Sequence, residues 1–116
     1  MNINHTNITR FRSQIIKKVK FIQDKMGFYP KKVYVVTTDL MSDEMELDKA
    51  IELAYEFYLD EEYFAIRQDI GLGKDKHIEI DYIRAELYDK EKFKWSVKSD
   101  VIYYTEFGDE IVLAEF

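Results

Sequence analysis

His77, Glu79 and Asp81 alternate with Ile78 and Ile80, so a strand over this segment places an imidazole and two carboxylates on one face. That donor set suits a divalent metal ion. Alternate residues of a strand lie about 6.5–7 Å apart, however, so neighbours can share an ion while all three are not expected to converge on one. The His-x-Glu pair also lacks the Pro-Cys-x-x-Cys partner of a zinc nucleobase deaminase. The trio therefore reads as the wet face of a half-buried strand, with no metal and no cofactor expected. The alternative is a small-ligand or metal-assisted module built on this side of the sheet and its aromatic residues.

The second chemical feature is acidic. Between Asp39 and Glu62 the chain carries ten acids and one base, Lys49. A helix over residues 43–60 puts Glu44, Asp48, Glu52, Glu56 and Asp60 at successive i, i+4 positions, rising about 6 Å and turning about 40° per step. Each like-charged pair costs roughly 0.2–0.5 kcal/mol, and Glu56 and Asp60 lie at the end where the helix dipole disfavours acids. Leu47, Ala50, Ile51, Ala54, Phe57 and Tyr58 share the opposite side, the apolar face of a helix laid on a core. The ridge is either a solvated face or a surface suited to a cationic groove on a partner protein. The five acids are the candidate partner-binding residues.

Other chemistry finds little support. Gly71-Leu72-Gly73-Lys74 is superficially similar to a phosphate loop, but the spacing is wrong and Asp75 and a strand follow the lysine. A phosphate cradle needs a helix N-terminus there, so the segment is expected to be a turn. The chain has no cysteine and only two histidines, His5 and His77. Thiol nucleophiles, zinc fingers and disulfides are thereby excluded, and no Gly-x-Ser-x-Gly elbow occurs. No enzymatic activity is expected. Tyr55, Tyr58, Tyr63, Tyr103 and Tyr104 are candidates to rim an interface, with core packing the simpler expectation.

The totals agree with one domain over residues 1–116: 47% of residues are apolar and 34% charged, an ordinary globular composition. No apolar run approaches the roughly 18 residues of a spanning helix, and a cytoplasmic protein is expected. Residues 1–32 carry eight bases and one acid, a net +7; residues 33–62 carry one base and ten acids, a net −9. With −6 overall, direct nucleic-acid binding is not expected, because that affinity comes mostly from neutralising phosphates.

These residues must be positioned by regular elements. Ile8, Phe11, Ile15, Val19, Ile22 and Met26 recur at helical spacing, which predicts a helix over 7–26 capped by Thr6 or Asn7. Gly27 and Pro30 should close it. Phe21 lies outside the stripe. Lys31 to Thr38 reads as a strand buried on both faces. Ser42 or Asp43 is the expected cap of the acidic helix, with Glu46 completing a capping box.

The second half predicts a meander: strands over 62–70 and 77–88 around the 71–75 turn, another over 93–98, a turn at Ser99-Asp100, and strands over 101–107 and 111–116. The apolar phase of the long strand switches near Tyr82–Ile83, which calls for a bulge or bend. The expected fold is α+β, with two helices on one face of a mostly antiparallel sheet of four to six strands. Side-by-side helices with basic and acidic borders in contact would give the charge asymmetry a structural use.

Small size, acidity, lack of cysteine and richness in Tyr, Lys and Glu resemble the standalone proteins of AT-rich bacterial genomes and their phages. That resemblance implies an inhibitor or regulator of another protein. The functional expectation is thus a non-enzymatic interaction module.

Overall fold

The computed structural model describes residues 7–27 and 32–116. His5, Thr6, Pro30 and Lys31, which enter the expectations above, lie outside the described residues. Helix α1 spans Ile8–Met26 and α2 spans Leu47–Leu59. The strands are β1 (Tyr34–Val36), β2 (Phe64–Gly73), β3 (Lys76–Asp89), β4 (Lys94–Tyr104) and β5 (Glu110–Glu115). They form one sheet in chain order, every neighbouring pair antiparallel. Both helices pack on one face of it, giving the expected α+β architecture.

Helix α1 forms where its apolar stripe predicts. The Asn7 side chain accepts from the Arg10 amide at 2.9 Å, and Gly27 closes the helix at φ 73°, a left-handed conformation that glycine adopts without steric penalty. Phe11, Ile15, Val19 and Ile22 are buried. Ala50, Ile51, Ala54 and Tyr58 of α2 join them over Val35, Phe64, Ile66, Ile80, Ile83 and Ala85. One end of this core is aromatic: Phe11 lies 5.1 Å from Tyr58 and 5.9 Å from Phe64, and Tyr58 lies 5.3 Å from Trp95, centroid to centroid. Tyr55 and Tyr58 therefore serve packing. Phe21 is half exposed and meets the ring of Phe116 edge-on at 5.6 Å.

Three expectations are corrected. The first concerns the start of α2. Residues 43–46 are not helical, and Ser42 and Asp43 do not cap the helix; Glu46 is the N-cap residue and makes no side-chain cap bond. A tight loop, in which the Thr37 amide donates to Leu40 O at 2.8 Å, instead folds the chain back along β1. Met41 bridges Val36 and Met45 bridges Val33. The Val35 amide donates to Ser42 Oγ at 2.8 Å, and the Ser42 amide donates to Val35 O at 2.9 Å. Backbone groups at the rim of β1 need partners, and residues 41–45 supply them at the expense of a helical turn.

The second correction is the length of β1. Its regular part is three residues, not the run from 31 to 38, because Thr37 enters the loop.

The third concerns Ser99-Asp100, which is no turn: β4 runs unbroken from Lys94 to Tyr104. The predicted irregularity near Tyr82–Ile83 is present. Asp81 pairs with Asp100 and Arg84 with Lys98, so two residues of β3 face one of β4. Ser99 is that one residue, and its hydroxyl donates to Tyr82 O at 2.8 Å inside the protein. A polar pair within a strand is thus explained by the bulge it faces.

Candidate functional site

The bulge decides which side chains share the sheet face away from the helices. In an unbroken strand residues three apart point to opposite faces, so Asp81 and Arg84 would be separated. The extra residue restores phase: Tyr82 and Ile83 are both buried in the core, and Arg84 Nη1 comes to 3.9 Å from Asp81 Oδ2. Arg84 Nη2 also pairs with Asp100 Oδ2 at 3.0 Å.

Register then assembles the rest. Lys74 and Asp75, both at positive φ, form the two-residue turn between β2 and β3, the backbone of a type I′ hairpin. Pairing places Arg67 opposite Asp81, Asp69 opposite Glu79 and Gly71 opposite His77. Arg67 Nε lies 2.6 Å from Asp81 Oδ1 and 3.1 Å from Glu79 Oε1. Tyr34 in β1 donates its hydroxyl to Asp69 Oδ2 at 2.7 Å. From β4, Tyr104 stacks on His77 with 4.6 Å between centroids and 11° between planes, and donates to Glu110 Oε1 at 2.9 Å.

His77, Glu79 and Asp81 are therefore no simple wet face. The Asp81 side chain is 2% exposed and held in an ion pair. Burial pushes the Glu79 carboxyl above its usual range, with the Arg67 charge opposing and Asp81 and Asp69 reinforcing the shift. Burial and the bond to Asp69 raise the Tyr34 hydroxyl in the same way. The donors that come together are Asp69, His77 and Glu79, with one ligand atom from each within 4.8 Å of the others. Asp69 was missed because it lies on another strand. Counting outward from a two-residue turn at Lys74-Asp75 puts Ile70 opposite Glu79; the register shift between Gly71 and Gly73 brings Asp69 there instead.

The acidic ridge survives in shortened form. Asp48, Glu52 and Glu56 are exposed on α2 and Asp60 is its exposed C-cap residue. Glu44 is exposed in the segment before the helix, so the stripe does not include it. Arg12 of α1 reaches Glu52 at 3.3 Å. Among the described residues this is the one ion pair made by the ridge, so the basic and acidic helix borders meet at a single point.

The two sheet edges differ. Residues 41–45 cover β1, whereas among the described residues β5 pairs only with β4. Ile111, Val112 and Leu113 on β5 are each about half exposed, and Phe107 in the preceding turn is 83% exposed. A cleft of about 360 Å³ between Arg84, Lys98, Asp100 and Glu115 opens beside this edge. Among the described residues no helix is long and apolar enough to cross a membrane. No protein-family model matches the chain, and no curated protein or solved structure matches it either.

Proposed function

We propose that this protein is a non-enzymatic interaction module, an inhibitor or regulator whose acidic α2 face engages a cationic surface on a partner protein. The observation that carries the reading is the stripe of Asp48, Glu52, Glu56 and the C-cap Asp60, exposed along α2 with one basic partner among the described residues. Like charges at i, i+4 oppose helix formation, and complementary charge across an interface relieves that repulsion while steering association. The carboxylates recur about every 6 Å along the helix, a spacing suited to Lys/Arg-lined grooves, including those that receive nucleic acid.

A second reading of the same class rests on β5. An open edge with exposed apolar side chains accepts an additional strand from a partner.

The test is affinity capture from a bacterial lysate with wild type, with Asp48→Asn/Glu52→Gln/Glu56→Gln/Asp60→Asn, and with Val112→Pro. A partner bound through α2 is lost with the neutralised variant, whose circular dichroism is unchanged, and its affinity for wild type falls steeply with added salt. A partner that ignores neutralisation but is lost with Val112→Pro transfers the function to the β5 edge.

A further inference from the structure

We propose that Asp69, His77 and Glu79 bind one divalent first-row transition-metal ion, of the zinc, manganese or iron(II) class. The site is independent of the α2 surface. It joins two neighbouring strands at three donors, one imidazole nitrogen and two carboxylate oxygens, all within 4.8 Å of one another. Small side-chain rotations bring such donors to the roughly 2.0–2.2 Å that these metals require. The imidazole favours this class over calcium or magnesium, which prefer all-oxygen shells.

The surroundings supply what a metal site needs beyond its ligands. Tyr34 occupies Asp69 Oδ2 and Arg67 pairs with Glu79 Oε1, so each carboxylate is oriented by a neighbour and retains a second oxygen. Tyr104 fixes the plane of the His77 ring by stacking on it. Such outer partners orient the ligands of known sites. Across the strand pair His77 faces Gly71, where a Cβ would meet nothing within 4 Å. That side is open, with room for water or a further ligand to complete the coordination shell.

Charge points the same way. Asp69 and Glu79 stand directly opposite each other, an arrangement that is destabilising between like charges. Arg67 opposes this only in part, because its guanidinium is shared between Glu79 and Asp81. Asp69, Glu79, Asp81 and Asp100 set against Arg67 and Arg84 leave a charge of −2, which one divalent cation neutralises.

The experiment is calorimetric titration of chelator-treated full-length protein with Zn²⁺ and Mn²⁺, with Mg²⁺ as comparison. NMR is followed in parallel at the two histidine side chains. The expected result is one equivalent of Zn²⁺ per chain and a metal-induced shift of the His77 ring. His77→Ala or Asp69→Asn should weaken binding at least tenfold, and Tyr34→Phe by about tenfold, as for outer-shell partners elsewhere. His5→Ala should bind as wild type does. Absence of saturable binding overturns the proposal. So does binding that His5→Ala abolishes, or that leaves the His77 resonances unmoved; the wild-type NMR decides the matter even if a variant fails to fold.

Discussion

Arg67 grips Asp81 across the β2–β3 pair with two hydrogen bonds, Nε to Oδ1 at 2.6 Å and Nη2 to Oδ2 at 3.1 Å. The Arg67 side chain is 18% exposed and the Asp81 side chain 2%. Removing one partner of so buried a pair leaves an uncompensated charge, which costs about 3–5 kcal/mol. Arg67→Met should destabilise by that order in urea unfolding. Arg67→Met/Asp81→Leu should recover part of the loss, because it removes the buried Asp81 carboxylate while Glu79 still lacks its guanidinium partner.

Asp100 gives the stability a pH dependence of definite sign. Burial pushes its carboxyl above the ordinary range, and the Arg84 guanidinium opposes the shift without outweighing it. The unfolded chain releases this proton near pH 3.9. Between that value and the raised native one, the folded state binds the extra proton, so this contribution to stability falls as pH rises. Denaturation of Asp100→Asn between about pH 4 and pH 7 should show the falling component gone. Relative to wild type, the variant gains stability as the pH is raised.

Ser42 closes the covered edge of the sheet. Ser42→Ala removes the acceptor of the Val35 amide and should cost about 1–3 kcal/mol, the range for a buried donor left unpaired. Hydrogen exchange provides the local readout, with protection lost at Val35 before the rest of the sheet.

The acidic stripe should be suboptimal for the isolated protein. Glu56→Gln relieves repulsion with Glu52 and Asp60 and removes an acid from the unfavourable end of the helix dipole, so thermal stability should rise by up to roughly 1 kcal/mol. Glu52→Gln should be nearly neutral, because relief from its acidic neighbours is offset by loss of the Arg12 contact. A marked fall in stability with Glu56→Gln would show that the face serves the fold.

Alkaline titration probes the core. Burial raises the hydroxyl of Tyr82 well above its ordinary value, and it donates to Gln68 Oε1. The unfolded chain ionises first, near pH 10, so stability should fall as pH rises beyond that point. Tyrosinate absorbance should then show part of the tyrosine population titrating only together with unfolding.

Local pattern determined a good deal of this molecule. The stripe from Phe11 to Ile22 specified α1, with Asn7 and Gly27 marking its ends, because helical periodicity and caps are short-range properties. The phase switch at Tyr82–Ile83 announced the bulge, since a strand with one buried face cannot change sides without an extra residue. Strands separated from helices in chain order yielded the α+β class.

Only the tertiary structure decided what depends on a partner distant in sequence. Residues 43–46 carry a plausible capping box, yet β1 has an edge to cover, and its backbone hydrogen bonds outweighed one helical turn. Ser99-Asp100 has the composition of a turn, but the bulge opposite needs a hydroxyl and Arg84 needs a carboxylate. Register across the β2–β3 hairpin, with its shift between Gly71 and Gly73, sets Asp69 rather than Asp81 beside His77 and Glu79. A strand's own spacing holds its alternate side chains about 6.5–7 Å apart, whereas residues directly opposite on neighbouring strands lie only about 4.5–5.5 Å apart at Cβ.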